Sequence, residues 1–467
     1  MTNADNNNLA IKVQHYQNVG FYERANDYKD LEIFFNALLS YFKPGEWEAR
    51  RKKILDEIAK KDSYDFDRFS ILKENTDKIC LYLLLAELAI TDPMCGDSSQ
   101  AAKSLPIMFG IGRVWHRKES VVNLDKKMVE IIRNYRKEPD GLLFEVLVAL
   151  NYANLGWQVE MLLAAPNEKT PDLYVQLGNK KFFVECKRQS RQSAYSNAEG
   201  VAFEKMWQRA QNEISQKNLQ DFWLDIVFHE ELHKLPEDYL KNMIINNSFS
   251  HQKSVVIVDD ELATIKYRCN NYSTLTHYMS NNKLKNDRSL LRHLIGQDWA
   301  GLNTKGALAI SAEYSTVCWC EAGTSSKYID SISSAFGSTF ECDSPASINA
   351  KARDVKKLLV DAVKQMPTDK RSIIHIMIEN SEGYNIDNLR NEKINSMITA
   401  FEMDKMIEKV LLNSLRCNDV TQLIVDVDET FQSWVVPEVP VSNLPELMIM
   451  PPNNPIFQNQ HWNMRRL

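Results

Sequence analysis

Residues 171–187 read PDLYVQLGNKKFFVECK, two short runs of β-forming residues that meet at Gly178 and Asn179. A Gly-Asn pair between two such runs is typical of a two-residue β-hairpin turn. With that turn, Leu177 pairs with Lys180, and counting back along both strands places Asp172 directly opposite Glu185. The hairpin is therefore predicted to hold two acidic side chains against each other on one face.

This register separates an apolar face from a charged face, because side chains alternate along a strand. The apolar face carries Leu173, Val175, Leu177, Phe182, Val184 and Cys186, and the other face carries Asp172, Tyr174, Gln176, Lys181, Phe183, Glu185 and Lys187. Opposed carboxylates about 5 Å apart repel each other, so we expect positive charge between them. A divalent cation held by oxygen ligands would supply it, with Lys187 as a second positive group.

A third acid precedes the hairpin in a predicted helix, PDGLLFEVLVALNYANLG, over 139–156. Every residue from 142 to 150 is apolar except Glu145. A carboxylate in such a stretch needs a partner, because burying an unpaired charge is costly. Both a structural salt bridge and ligation of a metal would satisfy Glu145, and the sequence leaves the choice open.

Pro171 and Asp172, followed after twelve residues by Glu185, Cys186 and Lys187, resemble the motif of the PD-(D/E)XK nuclease superfamily. The resemblance extends to the order of predicted elements from about 139 to 229, which is helix, three strands, helix, strand. It implies an α/β fold with a restriction-endonuclease-like core, in which helices flank a mixed sheet.

The resemblance also implies roles for these residues. Asp172, Glu185 and Lys187 would be catalytic, and Mg²⁺, for which Mn²⁺ could substitute, would be held by Asp172, Glu185, the main-chain carbonyl of Cys186 and Glu145. Lys187 would orient or activate the attacking water. The implied reaction is metal-assisted hydrolysis of a phosphodiester in nucleic acid, with DNA favoured over RNA.

Basic residues near the acids are expected to contact phosphate groups without reading bases. They are Lys180, Lys181, Arg188, Arg191, Lys205 and Arg209. A further basic excess, nine Lys or Arg against three Asp or Glu, lies between 101 and 137 and fits either a solvated helix face or a nucleic-acid contact. The net charge of −6 argues against an overall basic coat but leaves room for a local one.

The length of 467 residues indicates more than one domain. We predict an N-terminal helical domain over 1–135, the nuclease core over 136–260, a C-terminal α/β extension over 261–435 and an extended Pro-containing tail over 436–467. The helical domain is a candidate surface for self-association or for a partner protein. No apolar run reaches membrane-spanning length, the start MTNADNNN lacks a secretory pattern, and the eight cysteines include no CxxC pair, so we expect a cytoplasmic protein.

Alternative motifs point to other chemistry. FHEELH contains His229, Glu230 and His233 in the HExxH spacing of zinc proteases, which requires both histidines on one helical face. The preceding WLDIVF reads as a strand and Pro236 follows closely, so a strand end and a polar turn are favoured here. LIVDVDETF, with Asp426 and Asp428, is similar to the first motif of haloacid dehalogenase phosphatases but has only some forty residues after it. VVIVDDE resembles a receiver-domain strand or a Walker B acid pair, but the sequence contains no GxxxxGK(S/T) loop. Both motifs are interpreted as buried strands with acidic ends.

Architectures that join such a nuclease to a helical region and an extension resemble bacterial antiviral defence effectors. A catalytically inactive member of the same fold that binds nucleic acid or a partner protein is the main alternative, since fold alone does not fix function. The complete Asp172, Glu185 and Lys187 set favours the active enzyme.

Overall fold

The computed structural model describes residues 20–59, 77–91, 98–134, 139–163, 170–189, 194–247, 249, 254–296, 305–319, 325–380, 382–402, 405–418 and 426–435. These residues form two β-sheets with helices packed against them, a mixed α/β architecture. Within the same ranges, no helix has both the length and the apolar character needed to cross a bilayer.

The helices and strands alternate along most of the chain. The helices are α1 (Gly20–Leu39), α2 (Glu46–Ala59), α3 (Lys78–Thr91), α4 (Ser98–Val114), α5 (Leu124–Arg133), α6 (Asp140–Asn154), α7 (Ala194–Gln216), α8 (Tyr239–Asn246), α9 (Ser273–Asn281), α10 (Arg288–Gly296), α11 (Pro345–Gln365) and α12 (Tyr384–Thr399). The strands are β1 (Val121–Val122), β2 (Gln158–Met161), β3 (Leu173–Leu177), β4 (Lys180–Arg188), β5 (Phe222–Phe228), β6 (Val255–Asp259), β7 (Ala263–Cys269), β8 (Leu284–Lys285), β9 (Gly306–Trp319), β10 (Ser325–Cys342), β11 (Ser372–Glu379), β12 (Ile407–Asn418) and β13 (Asp426–Val435).

The first sheet, called sheet A, has seven strands in the order β1-β2-β3-β4-β11-β12-β13. Strands β2, β3 and β4 are antiparallel, whereas β4, β11 and β12 run parallel. Leu177 pairs with Lys180 and the register continues to Leu173 opposite Val184, which confirms the two-residue turn. Gly178 has a φ of 57°, a left-handed conformation that glycine adopts without strain.

The apolar face of the hairpin is buried as predicted, except that Leu177 at the turn is 42% exposed. The buried side chains of this face belong to one hydrophobic cluster that also contains residues of α1 to α6, among them Leu31 and Ile132. The described residues between 20 and 134 are mostly helical. The boundary expected near residue 135 does not interrupt this cluster, so the helices complete the core of sheet A.

The second sheet, called sheet B, has the order β6-β7-β5-β10-β8, with β9 paired to β10. Our prediction placed FWLDIVF, now β5, in the same sheet as the hairpin, and this is wrong. The strand beside β4 is β11, which follows α11. Sheet A thus contains the order helix, three strands, helix, strand as α6, β2 to β4, α11 and β11, with the elements from α7 to β10 inserted before α11.

A cluster of four buried charges joins the inserted elements to α11. Lys351 Nζ lies 2.8 Å from both Glu199 Oε2 and Glu382 Oε2, and Lys305 Nζ lies 3.3 Å and 2.5 Å from the same two atoms. Ser196 and Ser347 donate hydrogen bonds to the remaining oxygens of Glu382 and Glu199. Two ammonium groups therefore neutralise two carboxylates between α7 and α11.

Candidate active site

The β3–β4 hairpin brings Asp172 and Glu185 to the same end of the two strands. The main-chain N–H of Asp172 donates to the carbonyl oxygen of Val184 at 3.1 Å, and Asp172 Oδ2 accepts a hydrogen bond of 2.8 Å from the N–H of Cys186. Glu185 is fully buried, whereas Asp172 is partly exposed. The strand pairing ends with Leu173 opposite Val184, and Val184 also accepts the N–H of Asp172, so the predicted pairing of Asp172 with Glu185 lies beyond the paired part of β3 and β4. The Asp172 carboxylate nevertheless reaches the main chain of the residue next to Glu185, and Asp172 is the more exposed of the two acids.

Lys187 occupies the same face of β4 as Glu185, two residues further on. Its Nζ donates hydrogen bonds to Glu185 Oε1 and to Gln365 Oε1, and 22% of its side chain is exposed. Gln365 is the last residue of α11, so this helix packs over the charged face of the hairpin. Gln365 was not predicted to belong to the site, because no local pattern in the sequence relates the end of α11 to β4.

Glu145 forms an ion pair with Lys127, a residue that was also not predicted to belong to the site. Lys127 of α5 places its Nζ 2.7 Å from Glu145 Oε2 and 3.3 Å from Glu130 Oε2. Of the two partners considered for Glu145, the salt bridge is the one present. Lys127 lies in the buried stripe of α5 with Leu124, Met128 and Ile131, and a lysine in that stripe was the available signal.

The three acids raise one another's pKa values because they lie close together in a site that is largely shielded from water. The pKa of each of Asp172, Glu185 and Glu145 is raised to about 7, chiefly by burial. The negative charge of Glu185 adds to the shift of Asp172, and that of Asp172 adds to the shift of Glu145. Lys127 and Lys187 counteract these shifts without cancelling them. The site therefore carries less positive charge than its three carboxylates need.

Two carboxylate oxygens of this site, Glu185 Oε2 and Glu145 Oε2, are buried and accept no hydrogen bond, which is costly for a charged oxygen. Glu145 Oε2 has Lys127 Nζ at 2.7 Å, so Glu185 Oε2 is the oxygen that best fits a missing cation. Carboxylate and carbonyl oxygens are the ligands that Mg²⁺ prefers, so Asp172, Glu185 and the Cys186 carbonyl are suitable donors. The Cys186 thiol is buried on the apolar face, and burial raises its pKa well above the usual value. In the described part of the chain, no three His, Cys, Asp or Glu side chains already form a metal-binding group.

The basic residues expected to contact phosphates differ in their exposure to solvent and in their ion-pair partners. Arg188 is buried, with Nη1 at 2.7 Å from Asp140 Oδ1 and Nη2 at 2.6 Å from Glu379 Oε1. The prediction that Arg188 contacts phosphate is therefore corrected, because this guanidinium ties α6 to β11 inside the protein. Lys180 is half-buried and Lys181 exposed, and Lys181 lies four strand positions, about 13 Å, from Glu185.

The remaining basic candidates lie on or beside α7. Arg209 is half-exposed and pairs with Glu237 and with Asp238, the latter at 2.9 Å. Lys205 is exposed, and its Nζ is 3.9 Å from Glu237 Oε1. Acidic residues of the inserted elements therefore already lie next to the positive charges of Lys205 and Arg209. Arg191 lies outside the described residues.

The HExxH residues do not form a zinc-protease site. His229 directly follows β5, and its ring nitrogens contact Asp343 Oδ1 at 2.8 Å and Thr264 Oγ1 at 2.9 Å. His233 is exposed in a short 3₁₀ turn, so the two histidines do not share a helical face. The preferred interpretation, a strand end followed by a polar turn, is confirmed.

The other two acidic motifs lie in edge strands. Asp426 and Asp428 lie in β13, which pairs only with β12 in the described sheet. VVIVDDE forms β6, where Val255 and Val256 are 46% and 50% exposed. The expectation that this strand is buried is wrong, because β6 has a neighbour on one side only.

Comparisons with protein-family models, with curated proteins and with solved structures each return no match. The chemistry of the chain is therefore inferred from its own side chains. The candidate site consists of Asp172, Glu185, Lys187, Glu145 and Lys127.

Proposed function

We propose that the protein is a metal-dependent nuclease of the PD-(D/E)XK type that hydrolyses phosphodiester bonds, with DNA as the favoured substrate. The observation that carries this proposal is the closeness of Asp172 and Glu185 at the end of the β3–β4 hairpin, where the Asp172 carboxylate accepts the N–H of Cys186, and where Lys187 pairs with Glu185. A purely structural hairpin gains nothing from two neighbouring carboxylates, since they destabilise it unless a cation is present.

In this proposal, Asp172, Glu185 and the Cys186 carbonyl would hold Mg²⁺ or Mn²⁺. The cation, when bound, would favour hydroxide formation from water and stabilise the charge that develops on the phosphate. Lys187 has three N–H donors, of which Glu185 and Gln365 use two. The third would orient the attacking water or a phosphate oxygen at the exposed side of the site.

The setting we propose is the cytoplasm, where the enzyme would act in antiviral defence. Support for this step is the resemblance of the overall organisation to defence effectors, in which a nuclease is joined to a sensing or partner-binding region. The helices α1 to α5 and the inserted sheet B are the elements available for such a region. This step rests on analogy, whereas the nuclease proposal rests on the site.

The decisive experiment measures cleavage of supercoiled plasmid, linear DNA and RNA, each with Mg²⁺ or EDTA. Wild type would be compared with Asp172→Asn, Lys187→Met and the control Glu204→Gln, an exposed acid on α7. We expect cleavage only with the cation, a loss of about 100-fold or more in the first two variants, and wild-type rates in the control. Undiminished cleavage in Asp172→Asn would refute the assignment.

A second candidate function is binding of nucleic acid without cleavage. Lys187 already contacts Glu185, and the described residues contain no ready-made metal-binding group, which is the observation that favours this alternative. The same samples distinguish the two functions. Retarded DNA in a gel with no product under any metal condition would support the binding protein.

A further inference from the structure

We propose that Lys127 acts as a built-in cation that keeps Glu145 out of the metal site, so that the site takes one divalent cation rather than two. This inference rests on the proposed nuclease function and concerns how its metal site is organised. Lys127 is a positioning residue in this scheme, because it acts on the reacting groups through Glu145.

The contact between Lys127 and Glu145 is short and shielded. Their charged atoms are 2.7 Å apart, and the exposed fractions of the two side chains are 10% and 12%. An ion pair with little access to water is much stronger than one on the surface, because water screens it less. A metal ion that used Glu145 Oε2 as a ligand would first have to displace Lys127.

Lys127 comes from a different part of the chain than the acids. It projects from α5, whereas Glu145 is on α6, and α5 packs against both α6 and β2. The packing of Leu124, Met128 and Ile131 in the same buried stripe fixes α5 and with it the ammonium group. The charge next to Glu145 is therefore a permanent part of the core of sheet A.

A count of charges favours a single divalent cation. Asp172, Glu185, Glu145 and Glu130 contribute four negative charges when ionised, and Lys127 and Lys187 contribute two positive ones, which leaves two negative charges. One divalent cation would neutralise them. Two divalent cations would leave two positive charges in a largely buried site, which is costly.

The oxygens that lack a side-chain cation indicate where that cation would bind. Glu185 Oε2 and Glu145 Oε2 are both buried without a hydrogen-bond partner, but Glu145 Oε2 lies 2.7 Å from Lys127 Nζ, whereas Lys187 contacts Glu185 at Oε1. Asp172 accepts a hydrogen bond from a main-chain N–H at Oδ2. The position between Asp172 and Glu185 is thus left for the metal, while Glu145 is already neutralised.

Binding of Mn²⁺ to the full-length protein, followed by electron paramagnetic resonance and calorimetry, tests this inference without measuring cleavage. We expect wild type and Glu145→Gln to bind one Mn²⁺ with dissociation constants that agree within about threefold, because Glu145 is not a ligand. Lys127→Met exposes Glu145 to the metal and should bind a second ion or bind the first about tenfold more tightly. Lys126→Met, an exposed neighbour on α5, is the matched control.

The double variant Lys127→Met/Glu145→Gln removes both charges and guards against a folding defect in Lys127→Met. It should bind one Mn²⁺ as wild type does. A loss of about tenfold or more in Mn²⁺ affinity in Glu145→Gln, or unchanged binding in a folded Lys127→Met, would overturn the inference. Absence of Mn²⁺ binding in wild type and in Asp172→Asn alike would instead refute the proposed nuclease site itself.

Discussion

Gln365 accepts a hydrogen bond from the ammonium group of Lys187, although 178 positions separate the two residues in the sequence. The same ammonium group contacts Glu185, so it is held between a strand neighbour and the end of α11. A single ion pair would leave the flexible lysine side chain several orientations. The second acceptor fixes its direction toward the exposed side of the site.

Replacing Gln365 by methionine should slow cleavage about tenfold while leaving the fold intact, because the side chain keeps its size but loses its acceptor. Single-turnover rates on linear DNA at saturating Mg²⁺ would measure this effect. Lys364→Met is the control, since Lys364 is 56% exposed and pairs only with the nearby Asp361 in the described structure. Equal rates for Gln365→Met and wild type would show that Lys187 needs no second acceptor.

The raised pKa values of the acids predict a stability that falls with rising pH in the absence of metal. Asp172, Glu185 and Glu145 have pKa values near 7 in the folded protein, and all three titrate near pH 4 when unfolded. The folded state therefore holds protons that the unfolded state has released, and the free energy of unfolding decreases between about pH 4 and 7. Above that range the loss is complete.

Urea unfolding at pH 5.5 and pH 8, with and without Mg²⁺, measures this dependence. Asp172→Asn should gain on the order of 2 kcal/mol relative to wild type at pH 8 in EDTA, and much less at pH 5.5. Mg²⁺ should stabilise wild type more at pH 8, because protonated carboxyl groups bind it poorly. Glu160→Gln, an exposed acid of β2, should show no such difference. Parallel pH profiles for wild type and Asp172→Asn would contradict the prediction.

Arg188→Met should destabilise the protein by about 3–5 kcal/mol, because it leaves Asp140 and Glu379 buried without their common cation. Lys181→Met, at an exposed position of the same strand, should change the free energy of unfolding by less than about 0.5 kcal/mol. Urea unfolding at pH 7 gives both values. A fully stable Arg188→Met that binds DNA weakly would restore the phosphate-contact role.

Lys351→Met should destabilise the protein by a similar amount, about 3–5 kcal/mol, since Glu199 and Glu382 would then share only Lys305. The double variant Lys351→Met/Glu199→Gln should recover part of the loss, because it removes one charge of each sign. Lys356→Met, exposed on the same helix, is the control. If the single and double variants unfold at the same urea concentration, the four charges do not act as one cluster.

The hairpin register was predictable because a two-residue turn and strict alternation leave only one pairing for PDLYVQLGNKKFFVECK. The same register also places Arg188 on the buried face of β4, because Arg188 continues the alternating series of Phe182, Val184 and Cys186. Its charge is compatible with this buried position because the carboxylates of Asp140 and Glu379 pair with the two ends of the guanidinium group.

The neighbours of the hairpin were not predictable in the same way. Successive strands often pair, so β5 was assigned to the sheet of β4, yet β11 takes that position after an inserted sheet. The local alternation of apolar residues shows that a segment forms a strand, but it does not show which other strand that segment pairs with. Gln365 and Lys127 were missed for this reason, although the lysine in the buried stripe of α5 was visible in the sequence.

The insertion before α11 has a consequence for the newly made chain. Strand β4 ends at Arg188, but β11 begins at Ser372, so roughly 180 residues are synthesised between them. At ordinary translation rates this takes roughly 10 to 40 seconds. During that interval the nascent chain carries the acids and Lys187, while Gln365 and the strand that pairs with β4 are still to be made. The proposed cutting site can therefore be completed only after the whole inserted segment has been synthesised.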